Sequence, residues 1–256
     1  MTLHYKYLFN FKIVNDTIDN TILEIDKHIN FGLGSKTLSC INPHSLVISN
    51  SDKKFKNALA TCDFLLPDGI GIVIASKLIS NNKIQRITGP DIFQALMTIL
   101  NQSNGKKVLF LGSDTNTLKK VELQMGIKYP NIILSCTYSP PFKEDFTDKE
   151  NNEIIELVNY HKPDVLWVGM TAPKQEKWVY SNSNLLNVKF IGSVGAVFDY
   201  FAGTIKPPPK WISKYGLQWA HRLFYNPRKL WKRTLISGPR FLLIILKNIL
   251  TKKPSL

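Results

Sequence analysis

The chain has 256 residues, of which 44% are hydrophobic, and this is enough apolar material to bury a substantial core in one α/β domain. A wholly disordered chain is therefore excluded. The formal net charge of +14 at pH 7 indicates an anionic partner, which could be nucleic acid, anionic lipid or a phosphate-bearing substrate.

Short β-rich runs alternate with longer segments of helical periodicity. The predicted strands, in chain order, are Thr37 to Asn42, Phe64 to Leu66, Lys107 to Gly112, Ile132 to Tyr138, Asp164 to Met170 and Val188 to Val194. Helical spacing is found in residues 17–30, 51–61, 70–80, 91–102, 115–128, 148–161 and 173–184. This alternation is typical of βαβ units and predicts an α/β fold with a mainly parallel sheet.

The positive charge is concentrated near the end of the chain. No Asp or Glu follows Asp199, whereas twelve Lys and Arg residues do. Pro207–Pro209 marks a change to basic and aromatic composition, because three consecutive prolines end regular structure. We therefore predict an α/β domain over residues 1–203 and a basic, aromatic appendage over residues 204–256.

Neither end of the sequence predicts export or a membrane span. The first 14 residues contain no continuous apolar segment of the kind found in secretory signals. The longest apolar run, Phe241–Leu246, is far shorter than the roughly 20 residues that cross a bilayer as a helix. The three cysteines have no metal-ligand spacing, and we expect reduced thiols in a cytoplasmic protein.

The segments that follow the predicted strands are the candidates for chemistry, because open parallel sheets bind ligands beyond the carboxyl ends of their strands. These segments are Asn42-Pro43-His44, Pro67-Asp68-Gly69, Gly112-Ser113-Asp114, Gly169 to Glu176, and Gly192 to Gly195. Val108 to Ser113 reads as a buried strand that enters a Gly-Ser turn, which is consistent with a nucleotide crevice. Gly112, Ser113 and Gly169 are therefore candidate pocket residues.

Asp68 is the candidate general base. Pro, Asp and Gly are common turn residues, so Pro67-Asp68-Gly69 could be a turn and nothing more. However, a carboxylate at the carboxyl end of a strand faces the expected ligand crevice. At that position it could accept a proton from an attacking hydroxyl.

Lys174-Gln175-Glu176 is predicted to form the first turn of a helix capped by Thr171. Backbone N–H groups and the helix dipole at such a position favour a phosphate, and Gln175 could bind a sugar or a base. The alternative is equally open at this point: Glu176 could merely complement the helix dipole while Gln175 is solvated.

The sequence contains no dinucleotide or P-loop glycine fingerprint, which argues against a nicotinamide dehydrogenase and a P-loop ATPase. It also contains no Asp-x-Asp pair and no cluster with metal spacing, so we expect neither a metal nor another cofactor. Cationic side chains would then have to hold any phosphate, and Arg222, Arg228 and Arg233 are the candidates. The same basic tail could instead contact a membrane, form a solvated face or bind nucleic acid.

Taken together, the ordered motifs resemble the WecG/TagA/CpsF family of glycosyltransferases. The resemblance covers about Cys40 to Phe241. It rests on Asn42, Leu66 to Gly71, Gln85 to Asp91, Val108 to Ser113, Ala172 to Trp178, Gly195 to Gly203, Gly216 to Leu223 and Asn226 to Arg228. Several ordered motifs are far more specific than any one of them alone.

This resemblance implies a Rossmann-like sheet with helices on both faces and a basic helical C-terminal appendage that meets the membrane. The implied activity is inverting transfer of N-acetylmannosamine or a related hexose or uronic acid. The sugar would pass from a UDP donor to a polyprenyl-diphosphate-linked sugar, for teichoic acid, capsule or exopolysaccharide synthesis. It also implies a protein peripheral to the inner face of the cell membrane, self-association into a homo-oligomer, and no nucleic-acid partner.

The resemblance further implies roles for individual residues. Asp68 would deprotonate the acceptor hydroxyl, and Asn42, Arg86 and Gln175 would line the same pocket. The tail arginines 222, 228 and 233 would stabilise the departing UDP. This chain has Cys40 where many members have Thr, which weakens any hydroxyl role there. The rival hypothesis is a non-catalytic basic adaptor for membranes or nucleic acid, which would not need Asp68.

Overall fold

The structure, a computed structural model, describes residues 3–80, 84–209, 212, 220, 223–224 and 236–251. Its centre is a six-stranded sheet in the order β4-β3-β8-β7-β5-β6, with every neighbouring pair parallel. The strands are β3 (Lys36–Ile41), β4 (Phe64–Pro67), β5 (Lys107–Gly112), β6 (Ile133–Tyr138), β7 (Val165–Gly169) and β8 (Phe190–Ser193). All six predicted strands and the α/β class are confirmed.

A separate antiparallel hairpin precedes the sheet and was not predicted. It consists of β1 (Tyr5–Leu8) and β2 (Phe11–Val14). Each strand has four residues with a lysine at the second position, so neither forms a continuous apolar run of the kind that marks β4 in the sequence.

The predicted helices are present with small shifts of their ends. They are α1 (Ile18–Phe31), α3 (Lys53–Thr61), α4 (Ile70–Ser80), α5 (Gly89–Gln102), α6 (Thr115–Lys128), α7 (Asp148–His161) and α8 (Lys174–Asn182). A C-terminal helix (Ser237–Thr251) lies in the appendage that was expected to be helical, whereas two other helices among the described residues were not predicted: α2 (Pro43–Ser49) and α9 (Val197–Phe201). A short 3-10 turn, Ser183–Leu185, follows α8.

Side-chain caps explain where several helices begin. Thr88 accepts a hydrogen bond from the backbone N–H of Asp91, whose carboxylate accepts one from Thr88 in return, so α5 starts two residues before its predicted start. Thr147 and Glu150 form the same reciprocal capping box at α7. Such caps satisfy backbone donors that have no partner within the helix.

One face of the sheet, here called the aromatic face, is covered by α1, α5, α6 and α9 and has one continuous apolar cluster. Phe93 of α5 lies 5.0 Å from the ring of Trp167 on β7 and 5.2 Å from that of Phe201 on α9, between ring centroids. The Trp167 indole N–H points to the sulfur of Met97 at 3.3 Å. The helices of this face are therefore fixed to the middle of the sheet by interlocking rings.

The opposite face, here called the divided face, carries α2, α3, α4, α7 and α8 and has two separate apolar clusters. One cluster lies over β4 and β3, and the other over β8, β7 and β5. Between them α3 and α8 enclose a crevice of about 230 Å³ whose floor includes Thr37 and Ser39 of β3. The apolar core is thus interrupted over β3 on this face alone.

The C-terminal helix packs on α2 and α4 and completes the first of these clusters. Its Phe241 and Ile245 are buried, and Phe241 contacts the ring of Phe9 edge to face. The boundary near residue 203 stays a prediction, since α9 ends at Phe201 and most residues from 210 to 235 lie outside the described part of the chain.

Cys40, Cys62 and Cys136 are free, and all three residues are partly exposed. Within the described residues, no helix is both long and apolar enough to cross a membrane.

Candidate active site

The predicted site residues line up along the carboxyl edge of the sheet. Asp68 follows β4, Asn42 follows β3, Gln175 follows β7 through a short loop, and Gly112 ends β5. Gly195, which was not a predicted site residue, follows β8 in the same row. Adjacent strands lie about 4.8 Å apart, so this row extends over about 19 Å. The edge is long enough for an extended ligand rather than a single small group.

Asn42 and Asp68 occupy neighbouring positions at the ends of β3 and β4. Ile41 is paired with Pro67 in the parallel register, and the backbone N–H of Asp68 donates to the carbonyl of Ile41 at 2.9 Å. The side-chain oxygen of Asn42 accepts from the backbone N–H groups of the next two helical residues at the start of α2, His44 and Ser45. The side-chain oxygen of Asn42 is therefore occupied by these two hydrogen bonds. The side-chain NH₂ group of Asn42 is the part that is suited to a ligand.

Two glycines after Asp68 let α2 and α4 approach each other closely. Gly69 has a positive φ of 97°, which L side chains rarely adopt. A Cβ at Gly71 would lie 2.5 Å from Cγ of Pro43, inside van der Waals contact. The Pro-Asp-Gly-Ile-Gly segment thus does form a turn, as the simpler interpretation held, and that turn holds Asp68 beside Asn42.

Arg86 reaches the same neighbourhood from the segment before α5. The next residue, Ile87, donates its backbone N–H to the carbonyl of Pro67 at 3.2 Å. Arg86 itself is partly exposed. The backbone at Arg86 therefore adjoins the strand end that is followed by Asp68.

Gly112, Ser113 and Gly169 form a second group at the ends of β5 and β7. The backbone N–H of Ser113 donates to the carbonyl of Gly169 at 3.0 Å. Gly112 has a φ of 119°, and a Cβ there would lie 2.6 Å from the carbonyl carbon of Gly169. Only glycine at position 112 allows the two strand ends to come this close.

The structure contradicts two expectations for the start of α8, one on its cap and one on the exposure of Gln175. The helix begins at Lys174, its N-cap is Pro173, and no side chain caps it, so the predicted cap by Thr171 is wrong. The solvated alternative for Gln175 is also wrong, because Gln175 and Glu176 are each only 4% exposed. The amide Nε2 of Gln175 donates to Oε1 of Glu176 at 2.9 Å.

The first turn of α8 is held firmly by its neighbours. Lys177 forms an ion pair with Asp52, the N-cap of α3, at 3.2 Å, and the indole N–H of Trp178 donates to Asn151 of α7 at 2.8 Å. Lys174 lies over the ring of Phe146, 3.7 Å from its centroid, and desolvation lowers the pKa of its amine. These contacts fix the helix start that presents Gln175 and Glu176 to the edge of the sheet.

Cys40 lies among the site residues on β3, two positions before Asn42. Desolvation raises the pKa of its thiol well above the ordinary value, and the carboxylates of Asp68 and Glu176 raise it further, whereas a backbone hydrogen bond from Gly89 lowers it. The thiol is therefore protonated and neutral near pH 7. A Cβ at Gly89 would lie 3.6 Å from the sulfur of Cys40, so the thiol stands beside the start of α5.

The sequence-based reasoning gave no site role to Glu176, Ser193 or Gly195. Glu176 was interpreted only as a possible complement to a helix dipole, because its burial depends on how α8 packs. Ser193 and Gly195 stand in a segment that follows a strand, and that position was the available signal. Ser193 is 1% exposed, and a Cβ at Gly195 would lie 3.6 Å from both side-chain ends of Gln175.

Arg222, Arg228 and Arg233, predicted to stabilise the leaving group, lie outside the described residues. Within the described part of the chain, no group of three or more His, Cys, Asp or Glu residues could hold a metal ion.

The chain is a member of the glycosyl transferase WecG/TagA/CpsF family, whose model matches residues 6–255. The family assignment inferred from the ordered motifs is thereby confirmed, and it argues against a non-catalytic adaptor.

Three curated relatives carry one name, N-acetylglucosaminyldiphosphoundecaprenol N-acetyl-beta-D-mannosaminyltransferase. The protein from Bacillus subtilis strain 168 is 30% identical over 96% of this chain and 93% of its own length. That from Bacillus spizizenii strain W23 is 28% identical over 81% of this chain and 77% of its own. That from Staphylococcus aureus strain MRSA252 is 26% identical over 80% of this chain and 78% of its own.

Proposed function

We propose that this protein transfers N-acetylmannosamine from a UDP-linked donor to a GlcNAc-diphosphate-polyprenol acceptor, in teichoic acid or related cell-surface polysaccharide synthesis. The names of the three relatives support this donor sugar and this acceptor. The observation that carries the proposal for the chain's own residues is the position of Asp68 beside Asn42 at the carboxyl edge of the sheet.

In the proposed mechanism Asp68 is the general base. It accepts the proton of the acceptor hydroxyl, whose oxygen then forms a bond to the anomeric carbon of the donor sugar. The bond from that carbon to the UDP oxygen breaks, and UDP leaves with the electron pair. A single displacement of this kind inverts the anomeric configuration.

The other pocket residues have supporting roles in this proposal. Arg86 enters from the strand end that carries Asp68, and a guanidinium there can bind a diphosphate through two parallel hydrogen bonds. The close turn formed by Gly112, Ser113 and Gly169 would lie beside the nucleotide at the far end of the row. Arg222, Arg228 and Arg233 stay predicted contacts of the departing UDP.

Asp68→Asn tests the assignment, because it keeps the size of the side chain and removes the base. We expect the turnover number for acceptor-dependent UDP release to fall by about 10²- to 10⁴-fold. Release would be measured with UDP-N-acetylmannosamine, UDP-glucose and a UDP-uronic acid, each with a short-chain GlcNAc-diphosphate-lipid. Asp148→Asn, at an exposed position in α7, removes the same charge and serves as the control.

Wild-type release with the first donor alone would fix the donor sugar. Equal rates for Asp68→Asn and wild type would overturn the assignment of the base. Absence of transfer with every donor would overturn the proposed reaction itself.

We further propose that the protein lies on the anionic inner face of the membrane through its C-terminal helix. Phe241 and Ile245 face the core, whereas Leu242, Leu243 and Leu246 are each more than half exposed. Exposed apolar side chains on one helix, with lysines and arginines nearby, are typical of a helix that lies in a membrane interface.

The position of this helix supports the proposal, because it brings the apolar surface close to the site. Ser237, at the helix start, is hydrogen-bonded through its hydroxyl to His44 Nδ1 at 2.8 Å. His44 lies two residues after Asn42, so the helix start adjoins the strand end that carries the pocket. A lipid-linked acceptor held at the interface would therefore present its sugar near Asp68.

Vesicle co-sedimentation tests the membrane proposal. We expect Leu243→Asp combined with Leu246→Asp to weaken binding to vesicles containing anionic lipid by about tenfold or more, since burial of one leucine contributes about 1.5–3 kcal/mol. Leu123→Asp combined with Ile127→Asp is the matched control, because Leu123 and Ile127 are 67% and 73% exposed but lie on α6, on the aromatic face of the sheet. Equal binding of the two variants would contradict the proposal.

The homo-oligomer stays a prediction.

A further inference from the structure

Gln175 and Glu176, the buried pair at the start of α8, are joined by a hydrogen bond whose direction is fixed by their chemistry. An ionised carboxylate can only accept hydrogen bonds, whereas a glutamine amide has both a donor end and an acceptor end. Because Oε1 of Glu176 accepts the hydrogen bond at 2.9 Å, the NH₂ group of Gln175 must face Glu176. The carbonyl oxygen of Gln175 is therefore the end that remains for another molecule.

This carbonyl oxygen is buried without a partner. Gln175 is 4% exposed, and its Oε1 has no hydrogen-bond partner among the described residues. Buried polar atoms are almost always satisfied in folded proteins, so an unsatisfied one at a strand edge points to a bound group.

A second unsatisfied atom lies nearby. The hydroxyl of Ser193, at the end of β8, is buried and also has no partner in the described part of the chain. Two residues later, Gly195 runs beside the amide of Gln175, where a Cβ would lie 3.6 Å from both Nε2 and Oε1. The two atoms thus belong to one small region of the carboxyl edge, between β7 and β8.

We propose that Glu176 is a positioning residue that fixes the orientation of Gln175, so that Gln175 accepts a hydrogen bond from the UDP-sugar. This inference rests on the proposed function, since it takes a UDP-sugar as the ligand. The recognised group is a hydrogen-bond donor, either the N–H of the uracil ring or an N–H or O–H of the sugar. Glu176 acts through Gln175 and takes no part in the proton transfer assigned to Asp68.

The direction of the hydrogen bond between Gln175 and Glu176 can be tested by exchanging the two side chains. Glu176→Gln alone allows the Gln175 amide to turn over, and Gln175→Glu alone places two carboxylates together. Each single variant is expected to weaken UDP-N-acetylmannosamine binding by about tenfold, in line with the loss of one hydrogen bond. The double variant Gln175→Glu/Glu176→Gln restores a donor at 176 and an acceptor at 175, so its affinity is expected to return to within about threefold of wild type.

Calorimetric titration of the full chain gives the affinities, with Glu153→Gln in α7 as a control for loss of one exposed carboxylate. Thermal unfolding of each variant checks that it is folded. A double variant that binds no better than the single variants would overturn the inference, and so would single variants that bind like wild type. Wild type that fails to bind any UDP-sugar would instead overturn the proposed function.

Titration with UDP alone identifies the recognised group. If affinity for UDP falls as much as affinity for the UDP-sugar in the single variants, the hydrogen bond comes from uracil. If only affinity for the UDP-sugar falls, it comes from the sugar. Both results support the inference, and a kinetic readout should show a raised KM with a nearly unchanged kcat for uracil recognition.

Discussion

The two faces of the central sheet are built differently, although the same strands form both. The aromatic face has one continuous apolar cluster, in which Trp167 and Phe93 link the helices to the middle of the sheet. The divided face has two apolar clusters with a hydroxyl-lined crevice between them. Glu176 lines that crevice. Ser193, whose hydroxyl has no partner among the described residues, faces the same side of the sheet, because it stands two residues after Ile191 of the second cluster.

This difference indicates that one face contributes mainly to stability and the other mainly to the site. A continuous cluster of aromatic rings contributes stability through burial of large apolar areas. An interrupted cluster contributes less, but it leaves room for buried polar groups next to the site. Substitutions on the aromatic face should therefore mainly lower stability, whereas substitutions on the divided face should mainly lower activity.

The largest effect on stability is expected from Trp167→Ala on the aromatic face. Trp167 is fully buried, so its truncation should lower the free energy of unfolding by about 3–5 kcal/mol. Urea unfolding of the variant measures this loss, and Tyr160→Ala, at an 82% exposed position, is the control. A loss below about 1 kcal/mol would show that the aromatic face does not dominate stability.

A smaller effect is expected from Gly71→Ala on the divided face. The new Cβ would lie 2.5 Å from Cγ of Pro43, and such overpacking costs about 1–3 kcal/mol. Because Pro43 adjoins Asn42, the displaced helix should also move Asn42 away from Asp68. We expect transfer activity to fall by more than the loss of stability at assay temperature explains.

Gly126→Ala provides the matched control for Gly71→Ala. Gly126 lies within α6, and a Cβ there meets no atom within 4 Å. Alanine in a helix interior is favoured over glycine by about 0.5–1 kcal/mol, so this variant should be slightly more stable and fully active. Parallel unfolding and activity measurements on the two variants would separate packing from helix propensity. If both variants lose activity equally, the close contact of α2 with α4 has no role in the site.

The smallest effect on stability is expected from Ser193→Ala. Its hydroxyl has no partner among the described residues, so its removal should change the free energy of unfolding by less than about 1 kcal/mol. Ser76→Ala is the contrasting variant, because the hydroxyl of Ser76 accepts the backbone N–H of Ile84 at 3.2 Å and donates to the carbonyl of Val73 at 2.8 Å. Its removal leaves a buried N–H unpaired and should cost about 1–3 kcal/mol. Equal losses in the two variants would mean that Ser193 has a partner.

The sequence by itself determined the fold class, the six strands of the sheet and seven of the helices. Strand and helix periods differ, and a capping residue such as Thr147 marks a helix start locally, whereas the cap at Thr88 was not recognised. The sequence did not determine the hairpin at Tyr5–Val14, because a lysine interrupts each of its short strands, or helices α2 and α9, because five to seven residues make too few helical turns for a periodic pattern.

For the candidate site too, some features could be predicted from the sequence and others could not. The sequence placed Asp68, Asn42 and Gln175 after strands, and the general rule for parallel sheets brought them to one edge. Only the tertiary structure decided that Gln175 and Glu176 are buried as a pair, that Thr171 does not cap α8, and that Ser193 has no partner in the described residues. Burial and hydrogen-bond partners depend on which elements pack together, and residues distant in the chain supply those contacts.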